Sequence, residues 1–239
     1  MNSEEGLRRE AEEFARNNKK RLAKELTDPS KYSPEQNPVS VFMAGSPGAG
    51  KTEHSKNLIE MLERNKRRKV IRIDADELRS LIPGYNGKNS SLFQGAISII
   101  VDRIHDIALK QGQTFLLDGT FSKYGRAKNN IKRSLEKERP VFIFYVYQRP
   151  EVAWKFTQAR EVQEGRNIPK EKFITQFLGA RETVNRIRKE FGDEVVIFLV
   201  EKNFETHQVE AVNTIEPTGP QIDDYLKERY TIDNLEKLL

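Results

Sequence analysis

Cysteine is absent from this 239-residue sequence, which excludes disulfides and thiolate metal centres. Such a chain fits a reducing cytoplasm, the expected location. Histidine is nearly absent too: His54, His105 and His207 match no metal-ligand spacing, so structural roles are expected for them. No apolar run approaches the ~20 residues of a membrane span, and the first residues lack a signal peptide's apolar core; no membrane association is expected. Nor does one sign of charge dominate, since 41 Lys and Arg face 36 Asp and Glu for a net +5. Basic residues do cluster at Arg64–Lys69 and Lys123–Arg139. Base-stacking aromatics do not accompany them, so a solvated face or attraction for anionic nucleotides is expected, rather than nucleic-acid binding. What remains, 36% apolar and 32% charged, describes a soluble globular chain long enough to bury a real core.

What is present is organised around residues 39–53, Val-Ser-Val-Phe-Met-Ala-Gly-Ser-Pro-Gly-Ala-Gly-Lys-Thr-Glu. Gly45, Gly48, Gly50, Lys51 and Thr52 fit the phosphate-loop pattern G-x-x-x-x-G-K-[ST]. Apolar residues before it predict a buried strand, and Lys51 to Leu62 predicts a helix. In that context Gly45, Ser46, Pro47, Gly48, Ala49 and Gly50 would wrap their backbone N–H groups around a nucleoside triphosphate, at a helix N-terminus that favours anions. Lys51 would reach the β- and γ-phosphates, and Thr52 would hold Mg²⁺. The cofactor expected is ATP or GTP with Mg²⁺.

The chain around this loop alternates strand and helix. An amphipathic helix is predicted for residues 4–26, followed by a proline-bearing linker at 27–38. No motif lies in residues 1–26, which are expected to be dispensable for chemistry. Strands are predicted at Val70–Ile73, Thr114–Leu117, Val141–Tyr147 and Val195–Val200, with helices near 150–164 and 170–191. Ser91-Leu-Phe-Gln94 reads as a capping box opening a long helix. Trp154 is expected to pack within a helix rather than to stack on a base. The fold expected is α/β of the phosphate-loop kinase type, with a central parallel sheet of about five strands flanked by helices. Three parts follow: an N-terminal helix and linker (1–37), a kinase core (38–202) and a C-terminal helical extension (203–239).

Ligands in open α/β sheets bind at the carboxyl ends of the strands. Those ends carry the phosphate loop, Asp74 and Asp76, and Asp118-Gly-Thr120. Phe115-Leu-Leu-Asp118 resembles a Walker B strand, so Asp118 is expected near the metal together with Thr52. A carboxylate is needed beside the acceptor hydroxyl; Asp76 or Asp74 would supply it. Arg160 and Arg166 bracket Glu161–Gly165 between two predicted helices, where a lid would bring them to the transferring phosphoryl group.

Taken together, Gly45–Thr52, Ile73-Asp-Ala-Asp-Glu-Leu-Arg79, Leu117-Asp-Gly-Thr120 and Ala159-Arg-Glu with Gly165-Arg166 resemble the zeta-toxin family of phosphate-loop kinases over about residues 38–202. The resemblance implies phosphorylation of a hydroxyl of UDP-N-acetylglucosamine, which blocks peptidoglycan synthesis, and a small helical antitoxin as partner. By position it implies that Asp76 is the catalytic base, with Lys51, Arg160 and Arg166 acting on phosphate, and that Asp74, Asp102, Asp118 and Thr120 lie on the substrate side. Asp118 and Asp102 stand where the family has glutamates, one methylene longer. Other readings are a kinase of a nucleoside, an amino sugar or a nucleic-acid end, and a nucleotide-dependent switch.

Overall fold

The computed structural model describes residues 4–64, 69–203, 209–226 and 228–239. Its strands are β1 (Ser40–Ala44), β2 (Ile71–Asp74), β3 (Phe115–Asp118), β4 (Val141–Tyr147), β5 (Val195–Lys202) and β6 (Val209–Ile215). They form one sheet in the order β2-β3-β1-β4-β5-β6. The first five are parallel, as the sequence predicts, while β6 runs antiparallel to β5. β6 lies in the segment expected to be a helical extension. Its exposed Val209 and Val212 and its polar alternation mark a half-solvated edge strand.

Buried residues alternate along the strands and supply both faces of the sheet. On one face Val41, Met43, Leu116, Val146 and Val200 pack with Leu58 of α2 (Lys51–Arg64). On the other, Phe42, Ile73, Phe115, Ile143 and Ile197 join the apolar stripes of α4 (Gln94–Lys110), α5 (Tyr124–Leu135) and α7 (Lys170–Phe191). His105 of α4 belongs here, 1% exposed and edge-on to Phe42 and Phe115. Burial lowers it to about 3, so it stays neutral and structural. Of the remaining features singled out above, His207 and residues 65–68 of the first basic cluster lie outside the described residues.

The amphipathic helix α1 (Glu4–Leu26) turns its apolar face to the core: Ala11, Ala15, Leu22 and Ala23 are buried in the α4 cluster. Small residues permit this close approach, and Gly95 of α4 accommodates Glu12. Gln113 Nε2 then donates to the Thr27 and Tyr32 carbonyls, fixing the start of the following linker. One local expectation changes: the capping box is not formed, because α4 begins at Gln94 with Phe93 as an uncapped N-cap. Gln94 Oε1 instead accepts from Arg79 Nη2 at 3.0 Å.

A third cluster joins the last helices of the chain. Ala153 of α6 (Pro150–Glu164) meets Phe173, Ile174 and Phe177 of α7 and Leu235 of the C-terminal α9 (Ile232–Leu238). Trp154 packs on Phe173 at 5.1 Å, as expected for a packing residue.

Candidate active site

The phosphate loop joins β1 to α2, and its backbone demands glycine. Gly45 has φ +138°, and a Cβ there would lie 2.3 Å from the Val146 carbonyl oxygen. Gly48 has φ +71°, and its Cβ would come 2.0 Å from the Ala153 oxygen. Neither position admits a side chain without moving backbone. The Gly45 N–H donates to the Thr120 carbonyl at 3.1 Å, tying the loop to the segment after β3. The Lys51 amine donates to the Ser46 carbonyl at 2.5 Å, curled back along its own loop. Burial lowers this amine to about 8, with Asp118 and Asp76 only partly offsetting the loss of hydration.

The strand ends deliver the acids. The β2–β3 register sets Asp74 directly beside Asp118. Both are buried, and Asp74 is pushed up to about 6 by burial and then by the neighbouring Asp118 and Asp76 charges. Asp74 Oδ1 accepts from the Asp76 N–H at 2.8 Å, so Asp74 rather than Asp76 caps the short helix α3 (Ala75–Arg79). That leaves the Asp76 side chain for another task. Its Oδ1 is held by Arg79 Nη1 and its Oδ2 by Arg166 Nη1. Burial pushes Asp76 up, but Arg166, Arg79 and Arg160 outweigh it and hold the carboxyl below its usual range.

These groups surround one cavity of about 960 Å³. It is lined by the phosphate loop from Pro47 to Thr52 and by Asp74, Asp76 and Asp118. Asp102 of α4, Thr120, Arg160 of α6 and Arg166 just after α6 complete it. Gly45 and Ser46 lie beneath the lining. All the side chains proposed from sequence as catalytic or substrate-binding therefore meet in one place. The same cavity is also lined by Lys123, Arg126 and Lys172. Nine lysines and arginines line it against five carboxylates, so it suits a polyanion.

Several residues here had no assigned role in the sequence. Arg72, in the middle of β2, binds Asp74 and Asp118; an arginine inside a buried strand is itself a sign that it has partners. Ser55, one turn along α2 from Thr52, places its Oγ 2.8 Å from Asp118 Oδ2 and 2.9 Å from the Thr52 carbonyl. Lys202, at the end of β5, lies against Gly50 and pairs with Glu53 at 3.0 Å. Arg79 stood in a recognisable motif, but only the fold shows that it reaches both Asp76 and Gln94.

The donor set fits magnesium: an oxygen from Thr52 and a carboxylate from Asp118, beside a cradle for phosphates, is the chemistry this hard cation takes. Asp118 Oδ2 is occupied by Ser55 and Arg72, whereas Oδ1 has no hydrogen bond among the described residues.

A family model described as "Zeta toxin" matches residues 23–211. A search of curated proteins gives no significant match. Among solved structures, the chain is similar to one from the PezAT chromosomal toxin–antitoxin system of Streptococcus pneumoniae. The two are 14% identical with TM-score 0.65, over 94% of this chain and 91% of that one. It is also similar to the AvrRxo1-ORF1:-ORF2 complex with ATP, at 16% identity and TM-score 0.57, over 88% of this chain and 67% of that one. The likeness to these structures is one of fold; the sequence match over most of the chain settles the family. This chain belongs to the zeta toxin family, with the fold of a phosphate-loop kinase.

Proposed function

We propose that the protein is an ATP- and Mg²⁺-dependent kinase that phosphorylates a hydroxyl of a sugar nucleotide, UDP-N-acetylglucosamine, and so blocks peptidoglycan synthesis. The observation that carries this reading is Asp76. It is ionised, pinned between Arg79 and Arg166, and shares a cavity with Lys51 and Arg160. A carboxylate retains lone pairs after accepting one bond at each oxygen, so an acceptor hydroxyl can donate to it. As that oxygen attacks the γ-phosphorus, its proton passes to Asp76 and the β–γ bridging bond breaks, with the electron pair leaving on ADP. An arginine-paired carboxylate is a weak base. That suffices where bonding to the nucleophile lags behind leaving-group departure, as in a loose phosphoryl-transfer transition state. Lys51, Arg160 and Arg166 then spread the charge of the transferring group. Magnesium, held by Thr52 and Asp118, would neutralise phosphate charge in the bound nucleotide.

The cations Lys123, Arg126 and Lys172 in the lining support an acceptor that brings phosphates of its own, as a sugar nucleotide does. Asp102 and Thr120 line the same cavity and would read its polar groups. The PezAT structure comes from a toxin–antitoxin system, which supports a small antitoxin as partner here. No helix among the described residues is long and apolar enough to cross a membrane. The proposed dependence on ATP would place the reaction in the cytoplasm. Incubation with γ-labelled ATP, Mg²⁺ and a panel of UDP-sugars, nucleosides and oligonucleotides tests the assignment. Label is expected in UDP-N-acetylglucosamine. Label in another acceptor alone would reassign the substrate, and acceptor-independent release of phosphate would replace the kinase by a nucleotide-dependent switch.

A further inference from the structure

Arg72 lies between the two acids at the strand ends and fits none of the motifs. Its side chain is 12% exposed. One nitrogen, Nη2, bridges Asp74 Oδ2 at 2.6 Å and Asp118 Oδ2 at 2.7 Å. Nε lies 3.2 Å from Ser55 Oγ, and Nη1 pairs with Glu77. The planar guanidinium thus uses every edge, in a geometry that an ammonium group cannot reproduce. Without it, register would leave Asp74 and Asp118 side by side, with a serine oxygen close to Asp118. Two carboxylates and a hydroxyl form a cation site in their own right.

We propose that Arg72 is a positioning residue for phosphoryl transfer: it fixes Asp118 against the phosphate-loop helix, and its charge makes divalent-cation binding depend on the nucleotide's phosphates. This inference rests on Asp118 being the metal-side carboxylate of the kinase reading. A fixed positive charge 2.7 Å from Asp118 weakens that carboxylate's attraction for a bare cation. Nucleotide phosphates add the missing negative charge, so cation and nucleotide bind as a unit. The bond to Ser55 on α2 holds Asp118 in register with Thr52, so that its other carboxylate oxygen would be left for a cation.

The test is Mn²⁺ binding, followed by the electron paramagnetic resonance signal of free Mn²⁺, with and without ADP. Wild-type protein should bind Mn²⁺ weakly alone and at least tenfold more tightly with ADP. Failure of the second result would reject the metal-site reading itself. Arg72→Gln should bind Mn²⁺ without nucleotide about tenfold more tightly than wild type, with kcat reduced and the nucleotide KM little changed. Arg72→Lys keeps the charge but not the bridge, so Mn²⁺ affinity should stay at the wild-type value while kcat falls. Ser55→Ala, which keeps Arg72, should likewise lower kcat alone and serves if Arg72→Gln does not fold. Unchanged nucleotide-free Mn²⁺ affinity in folded Arg72→Gln, or full kcat in Arg72→Lys or Ser55→Ala, would overturn the proposal.

Discussion

If Lys51 meets the nucleotide's phosphates as proposed, its burial should make nucleotide binding a proton-linked reaction. Its amine titrates near 8 because burial removes its hydration and the nearby Asp118 and Asp76 charges compensate only in part. About half of the free protein is therefore neutral at Lys51 at pH 8, ~10% at pH 7 and ~90% at pH 9. Bound phosphates would raise the amine towards its ordinary value or beyond, so binding at pH 8 should take up ~0.5 proton and at pH 9 ~0.9. Affinity is then fully present below pH 8 and falls about tenfold for each unit above it. The free protein should show the opposite slope. Between pH 8 and pH 10 the unfolded chain holds more protons at Lys51 than the folded one, so this residue's burden on stability is relieved as pH rises. Calorimetric titration with Mg·ADP in two buffers of different ionisation heat reads the uptake directly, since the nucleotide phosphates are fully ionised at these pH values. Lys172 is the other amine in the cavity that is lowered, by burial and then by Arg79, Arg166 and Lys123. Lys172→Gln should leave the uptake in place, whereas Lys51→Met should abolish it along with most of the affinity. Affinity constant from pH 7 to 9, with no proton uptake, would refute the reasoning.

Asp76→Asn should retain nucleotide binding and lose acceptor-dependent transfer by roughly 10²–10⁴-fold; full transfer would move the base to Asp74, whose raised value of about 6 makes it the next candidate. Arg160→Ala and Arg166→Ala should each lower kcat by about 10³-fold or more while nucleotide affinity changes little, a split that single-turnover and equilibrium binding measurements separate. Gly48→Ala should abolish nucleotide binding, because the added Cβ would lie 2.0 Å from the Ala153 oxygen; wild-type binding by titration would show that the loop can shift. Leu22→Ala in α1 should cost about 2–4 kcal/mol in urea unfolding, and a shift below 0.5 kcal/mol would show that α1 adds little to the α4 cluster.

Features encoded by local pattern were legible in the sequence, and those set by distant neighbours were not. The phosphate loop, β1 and β4 declare themselves, because a glycine-rich loop and continuous apolar strands have few other uses. Val209–Ile215 looks like neither a buried strand nor a helix, since an edge strand needs only one apolar face and one partner. The sequence Ser91–Gln94 matches a capping box, yet Gln94 serves Arg79 from a distant turn, and that demand overrides the local motif. The amphipathic pattern of α1 showed that it has an apolar face, but not that α4 is what covers it, because a helix's own spacing does not name its partner. In the site, the cradle residues and the three strand-end aspartates could be named. Arg72 could not, because its role depends on which strand lies beside β2, and only the sheet order supplies Asp118 there.

The pairing of acids with arginines explains how one cavity can both attract a polyanion and hold a carboxylate ready. Three aspartates at the strand ends would repel phosphates if left alone. Arg72 sets one positive charge against the adjacent Asp74 and Asp118, while Arg79 and Arg166 together outweigh Asp76. Lys51 and the other cations of the lining, Lys123, Arg126 and Lys172 among them, set the sign of the field. Such buried networks are poor stabilisers, because desolvating each ion offsets much of the attraction. Apolar replacements would fill the same space, but they would leave neither a fixed ionised acceptor for a proton nor a cation beside it. Arg166 also lies on the segment joining α6 to α7, two helices that pack together through Ala153, Phe173 and Phe177 with Leu235 of the C-terminal helix. The ion pair from Asp76 to Arg166 therefore joins α3 to the segment between α6 and α7, and on the proposed mechanism it would hold the proton acceptor and the charge-spreading arginine in one fixed relation.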